Sequence, residues 1–518
     1  MNKRTFVKNT AVMTATSLLL RLLGIVFRIF ISNRVGAEGI GLYQLVFSVY
    51  ILGATFATGG LITAITCLVA QLLTQSDTTG VRRLMGISVT ICLGIGGLSA
   101  LLLYLGAPMI GTLIGDARAV AALSVSGIAL PFIGVSACIK GYFMARRKAW
   151  PPCLSQIVEQ AVRIGSILWM LTNLWDGSLE RACLIIIVGD ALSETIACLY
   201  LLFAYRRDGK KLPKTSVKTG TSLLRPLLHI AVPLTAGRYL TTALRTVENF
   251  LVPACLTLYT HSDALSLAQF GAVKGMALPL IFFPSALLMT LSGLLIPELA
   301  DAYALGQRRQ VTHLTERTLH VTLLGSILVG GLFTVLGRSL GEILYHDSLV
   351  GLLLQILGPL TPVMYLDSVV SGMLKGLNQQ VHSLWYSVAD SAARITLIYL
   401  LLSRFGLTGF LYVMLVSNLL TATLSTSRLL SVSNTQMNWG RWVIRPLFAA
   451  ATAGGGTWIW QQLFPAVGLS ALLPQAAVFV MVYCLLLPLI GCFTREDWQQ
   501  ITAKKTATDM NKSSKNGQ

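Results

Sequence analysis

Four arginines lie where charge is costly: Arg21 and Arg28 within the first apolar run of the chain, Arg238 and Arg245 within the seventh. A guanidinium at a bilayer centre costs roughly 2.5 to 3.5 kcal/mol on insertion scales, so it turns toward a bundle interior or a water-filled cavity. A spacing of seven is almost two helical turns, which puts each pair on one face, about 10 Å apart along the axis. Two such faces brought together make a cationic chamber. The planar guanidinium fork matches phosphate oxygens better than an ammonium does, so these four are the candidate anion-binding residues. The alternative is that they pair with internal acids or backbone carbonyls and only hold helices together. Glu248, three residues after Arg245, can neutralise one of them, whereas the first pair has no acid within its own helix.

Other charges inside apolar runs suit ion coupling or charge pairing. Glu159/Arg163 and Asp390/Arg394 each have the four-residue spacing of an intrahelical ion pair and read as self-neutralising. Asp190 and Glu194 are two carboxylates one turn apart with no cation nearby in sequence. They either bind a coupling cation or proton, or accept hydrogen bonds from a neighbouring helix. Asp367 is a similar but lone case. The nine cysteines include no CxxC pair and read as small buried hydrophobes, neither a disulfide framework nor a metal site. HExxH, GxSxG and GxxxxGK[ST] are all missing, so the reading is of a non-enzyme, with no metal and no cofactor.

These residues are carried by helices in lipid. Of 518 residues 54% are hydrophobic and 12% charged, where soluble domains carry roughly a quarter charged. Apolar runs of about 20 residues recur, each long enough to span the hydrocarbon as a helix. About fourteen spans begin near Ala11, Gly41, Val81, Val120, Cys153, Ala182, Leu227, Ala272, Thr318, Val350, Ser383, Leu407, Val443 and Leu469. The charge of +19 does not point to nucleic acid, because most Lys and Arg fall in alternate short connections. By the positive-inside rule that places both termini in the cytoplasm of a membrane protein of the inner-membrane type. The first run is an uncleaved helix rather than a signal peptide, since Arg21 interrupts it and more spans follow. Gly59-Gly60 in the second span, and Pro279 and Pro284 in the eighth, mark bending points or close packing.

The basic stretch from Arg206 to Arg225 divides the chain. Residues 1–205 read as an N-lobe, 206–226 as a basic cytoplasmic linker, 227–430 as a C-lobe, 431–494 as two extra spans without a counterpart, and 495–518 as a polar cytoplasmic tail. The lobes share features in the same order, which suggests internal duplication. Arg21/Arg28 answers to Arg238/Arg245, Arg82-Arg83 to Arg308-Arg309, and Lys140-Gly141 with Glu159/Arg163 to Lys375-Gly376 with Asp390/Arg394.

At LLRLLGIVFRIFISNRVGAEGIGLYQL (19–45), KGYFMARRKAWPPCLSQIVEQAVRI (140–164) and LLIPELADAYALGQ (294–307) the sequence resembles the stage V sporulation B group, within the polysaccharide-transporter branch of the MATE-like flippase superfamily. The resemblance runs over nearly the whole chain. It implies a MATE-like fold of two six-helix lobes plus two extra helices, working by alternating access. Lipid II flippases of that superfamily carry cavity arginines on the first and seventh helices, and Arg21, Arg28, Arg238 and Arg245 stand at similar places. In such flippases the last two helices form a groove for the lipid tail. The expected cargo is a polyprenyl-diphosphate-linked glycan, namely lipid II or a related peptidoglycan or spore-cortex precursor. Another lipid-linked polysaccharide or a multidrug cation is the alternative. Membrane lipids and cell-wall synthesis proteins are the expected partners, and a monomer the expected state. After Gly60 the chain reads LITAITCLVAQ, where the group commonly has a Pro, then a Lys near Cys67 and a Glu near Gln71. Altered gating or substrate preference is the expected consequence.

Overall fold

The computed structural model describes residues 3–210, 223–464 and 468–492; side chains are further left out at 3–13, 290–292, 294 and 469. Most of the basic linker and the polar tail therefore lie outside the described residues. Every described element is helical.

Two long helices each contain two crossings. α1 (Lys3–Thr58) turns at Gly36 (φ 79°) and α15 (Gln380–Ser433) at Gly406 (φ 56°), left-handed conformations that glycine adopts without steric cost. α2 (Leu61–Thr74) completes the second crossing, after a break at Gly59-Gly60. α3 (Thr78–Ile114), α6 (Trp150–Asn173), α7 (Leu179–Gly209) and α8 (Leu224–Thr260) each cross once, while α4 (Ala119–Ser126) and α5 (Leu130–Ala145) form one crossing around a 3-10 turn. The eighth crossing is the most interrupted. It runs through α9 (Asp263–Phe270), a π-helical stretch Gly271–Ala277, α10 (Leu278–Phe282) and α11 (Ser285–Ala304), with Pro279 opening α10 and Pro284 separating it from α11. α12 (Arg308–Tyr345) follows, then α13 (Ser348–Leu357) with α14 (Thr361–Gly376), and finally α16 (Arg445–Leu463) and α17 (Leu469–Leu489) after α15. Counted this way, the described residues make fourteen crossings, as the apolar runs require.

Met109 is 77% and Leu489 80% exposed. Such outward leucines and methionines need lipid, not water, as their solvent. Seven of the nine cysteines are buried, as small hydrophobes should be, but Cys67 and Cys484 are exposed; all are free thiols.

The chain forms two compact units. The first comprises residues 1–286 and 381–421, the second 287–380 and 422–518. Within the first, α2, α3, α5, α7 and the start of α8 share an apolar core around Ile65, Leu84, Ile139 and Tyr142. Asp208, at the end of α7, fastens that core from one side. It pairs with Arg146 and Lys148 and accepts a 2.9 Å hydrogen bond from the Tyr142 hydroxyl. Within the second, the two extra helices pack on α12: Phe479 and Tyr483 are buried against it, and the Tyr483 hydroxyl donates to the Leu324 carbonyl at 2.9 Å.

Candidate functional site: two charged hollows in the first unit

α6 and α7 lie side by side and face both arms of α1, on either side of Gly36, across a hollow of about 380 Å³. Arg28, Gln44, Gln160, Arg163 and Asp190 line it. Gln160 and Glu194 also line a second hollow of about 380 Å³, whose cations are Arg21 and Lys140 and whose other acid is Glu159. The two spaces thus adjoin along one wall.

Arg163 is the clamp of that wall. Its guanidinium reaches Glu159 at 2.9 Å along its own helix and Asp190 at 2.7 Å on α7. Asp190 also accepts from the Tyr43 hydroxyl at 3.2 Å. Of the two readings open for Asp190, the structure shows the one in which it accepts bonds from neighbouring helices; which helices supply them, spacing along α7 cannot reveal. One arginine is divided between two acids. Glu194, at the boundary of the hollows, makes no ion pair among the described residues.

Of the four candidate arginines, Arg21 and Arg28 stand in the adjoining hollows. Arg238 and Arg245 are exposed on α8 and line neither; Arg238 donates to the Gly59 carbonyl at 2.9 Å. Among the described residues, none of the four makes an ion pair with a carboxylate.

Glu248 does not neutralise Arg245. It is 2% exposed and binds Lys274 at 2.8 Å and Arg394 at 3.4 Å. Three residues along α8 turn the carboxylate away from Arg245 and toward the π-helical stretch and α15. Arg394 also holds Asp390 at 3.1 Å, and Ser417 joins them, donating to Asp390 and accepting from Arg394 Nε at 2.9 Å. Two cations meet two acids, and the network closes on itself. Asp367 is half-buried in the second unit, which contains neither cluster.

Lys140 and Lys274 are the residues that sequence reasoning passed over. Both are cations inside apolar runs, the same signal that singled out the arginines. Lys140 drew notice only as a marker of the repeat, and Lys274 sits in a π-helical turn, a feature often found at functional sites.

The helical order defines a multi-pass membrane protein, and its likeness to solved structures gives it a MATE-like fold. The chain belongs to the polysaccharide biosynthesis protein family, whose model matches residues 6–301. It is 27% identical to stage V sporulation protein B of Bacillus subtilis (strain 168) over 411 residues, 78% of this chain and 79% of that one. To the lipid II flippase MurJ of the same organism it is 23% identical, covering 72% and 73%. Among solved structures it is similar to a lipid II flippase MurJ in an inward closed conformation, with a TM-score of 0.71 and 13% identity over 91% of this chain and 97% of that one. An inward-facing multidrug resistance MATE family transporter of the MOP superfamily gives 0.63 at 15% identity, covering 81% and 96%.

Proposed function

We propose that the protein is a flippase that carries an anionic undecaprenyl-diphosphate-linked glycan, lipid II or a related peptidoglycan or spore-cortex precursor, from the inner to the outer leaflet of the bacterial cell membrane. The observation that carries this reading is that Arg21 and Arg28 line hollows among the spans without a carboxylate at ion-pair distance among the described residues. Arg21 is exposed and Arg28 half-buried, and a charge inside a membrane span is retained where it is paired, where it meets a water-filled cavity or where it serves a ligand. The ligand that suits two guanidinium groups and the Lys140 ammonium is an anion with several oxygens, such as a diphosphate. Arg238 and Arg245 complete the cationic lining from α8 in the loaded state, while the polyprenyl tail stays in lipid. Names given to the relatives, a lipid II flippase and a sporulation protein, favour a cell-wall precursor.

In this reading both termini are cytoplasmic and the protein acts as a monomer alongside cell-wall synthesis proteins. The membrane potential drives export of the anion, since each negative charge moved outward releases about 2.3 kcal/mol per 100 mV. Glu194, set between the hollows, is the candidate for a coupling cation or proton. Multidrug cation export suits the fold equally, but cationic side chains in the hollows repel that cargo.

The test is reconstitution in liposomes with labelled lipid II, against a teichoic-acid or capsular precursor, following exposure of the headgroup on the far side. Exposure of lipid II above that of empty vesicles supports the proposal. No exposure of any polyprenyl-linked sugar, alongside transport of an organic cation, overturns it.

A further inference from the structure

The break in the second crossing is held by the helix that carries two of the candidate arginines. Between α1 and α2, Gly59 and Gly60 leave the helical path. At membrane depth the backbone groups so freed need partners. Both partners come from α8: the Gly60 N–H donates to the Thr235 hydroxyl at 2.9 Å, and Arg238 donates to the Gly59 carbonyl at 2.9 Å. The contact is close enough to require glycine. A Cβ on Gly59 collides with the Thr235 side chain, and one on Gly60 falls 2.6 Å from the Ala231 carbonyl oxygen.

From the break the seam continues along both helices. Phe56 meets Tyr239 with ring centroids 5.7 Å apart, the Thr55 and Thr242 hydroxyls stand 3.5 Å apart, and Asn249 donates to the Ser48 hydroxyl at 2.8 Å. Apart from Arg238 these contacts are neutral and weak. Arg238 is the one charged group of the seam; it is exposed, and its only described partner is a neutral carbonyl. A phosphate oxygen is a much stronger acceptor for a guanidinium than an amide carbonyl.

Resting on the flippase reading, we propose that Arg238 is the latch of a gate. Its guanidinium is exchanged between the Gly59 carbonyl and the substrate's diphosphate, so arrival of the anion unzips α8 from the break in the second crossing. Binding opens the seam because the ligand prefers the state in which Arg238 is released, and an equilibrium shifts only by that differential affinity. Once the diphosphate has passed to Arg21 and Arg28, the guanidinium returns to Gly59 and closes the seam behind it. Thr235 is the hinge of this contact, holding Gly60 in both states.

The experiment uses full-length protein in liposomes with Phe56→Cys and Tyr239→Cys, in a background where the exposed Cys67 and Cys484 are serine. Disulfide cross-linking across the seam is timed with and without undecaprenyl diphosphate, whose binding is followed separately by tryptophan fluorescence. The cross-linking rate is expected to fall roughly tenfold on adding the probe, and as far in Arg238→Ala without it, the shift that follows from losing one hydrogen bond to a charged donor. Gly59→Ala should open the seam by steric force alone, with size-exclusion elution reporting that it remains folded. Probe binding that leaves cross-linking unchanged overturns the exchange while the flippase reading stands. Absence of binding overturns the exchange together with that reading, and Arg238→Ala then decides the latch by itself: an unchanged rate in that variant overturns it.

Discussion

Replacing Glu248 by glutamine should strongly destabilise the protein. The carboxylate is nearly inaccessible and stands between Lys274 and Arg394, whose side chains are 19% and 22% exposed. Its removal leaves Arg394 with Asp390, but Lys274 has no other ion-pair partner among the described residues. Breaking a buried pair from one side costs about 3 to 5 kcal/mol, because the other charge stays buried without compensation. The entropy of unfolding grows with chain length, so for a chain of this size the loss corresponds to a fall of roughly 3 to 5 °C in the thermal midpoint. Detergent-purified protein followed by scanning fluorimetry reads this directly, with exposed Glu180→Gln as the control. The physical cause is checked by adding Lys274→Met. If the orphaned ammonium carries the cost, the double variant regains more than half of the lost midpoint, a coupling that the cycle of single and double variants isolates. A double variant no better than the sum of its parts, or a Glu248→Gln shift no larger than that of Glu180→Gln, refutes the reasoning.

Arg28→Ala should insert and express normally yet lower headgroup exposure in the liposome assay by roughly tenfold to a hundredfold, the value of one hydrogen bond between charged groups; Arg28→Lys should recover part of it. Lys140→Gln should weaken binding of undecaprenyl diphosphate by about tenfold, measured by tryptophan quenching, and leave the thermal midpoint unchanged because Lys140 makes no described ion pair. Asp208→Asn should lower the midpoint only slightly, by about 1 to 2 kcal/mol in free-energy terms, since Lys148 at 42% exposure is largely solvent-screened and the cost falls mainly on Arg146 and Tyr142.

The crossings were legible because lipid imposes the simplest pattern in protein sequence: an apolar run is a helix, whatever it packs against. The turns were legible only as gaps between runs: spans expected from Gly41 and Leu407 put a break close to Gly36 and Gly406, but their left-handed φ leaves no mark beyond a glycine among many. Spacing along one helix found Glu159/Arg163 and Asp390/Arg394 but not the second acid of each arginine. Asp190 and Glu248 arrive from other helices, and only packing decides that Glu248 faces Lys274 rather than Arg245. Gly59-Gly60 was legible as a bending point or close contact, but the hydrogen bond from Arg238 to Gly59 was not, since no pattern in the chain says which helix passes close by.

The two clusters show how similar sequence patterns reach different ends. In each, an arginine pairs with an acid one turn before it and with a second acid from another helix. Around Arg394 the remaining negative charge is met by Lys274 and the gap is filled by Ser417, so a second ligand finds no free donor. Around Arg163, Glu159 and Asp190 are occupied by the clamp itself, Glu194 stands unpaired at the boundary, and Arg21, Arg28 and Lys140 line open space without an ion pair among the described residues. A closed network stiffens helices, whereas an open one attracts anions, and the difference follows from where the extra cations stand. Moving function between the two should therefore need only a change in charge pairing: placing a carboxylate in the hollow that Arg28 lines, as in Gln44→Glu, should close the first network and abolish diphosphate binding while raising the thermal midpoint. A Gln44→Glu variant that still binds undecaprenyl diphosphate at full affinity would mean that Arg28 does not serve the anion.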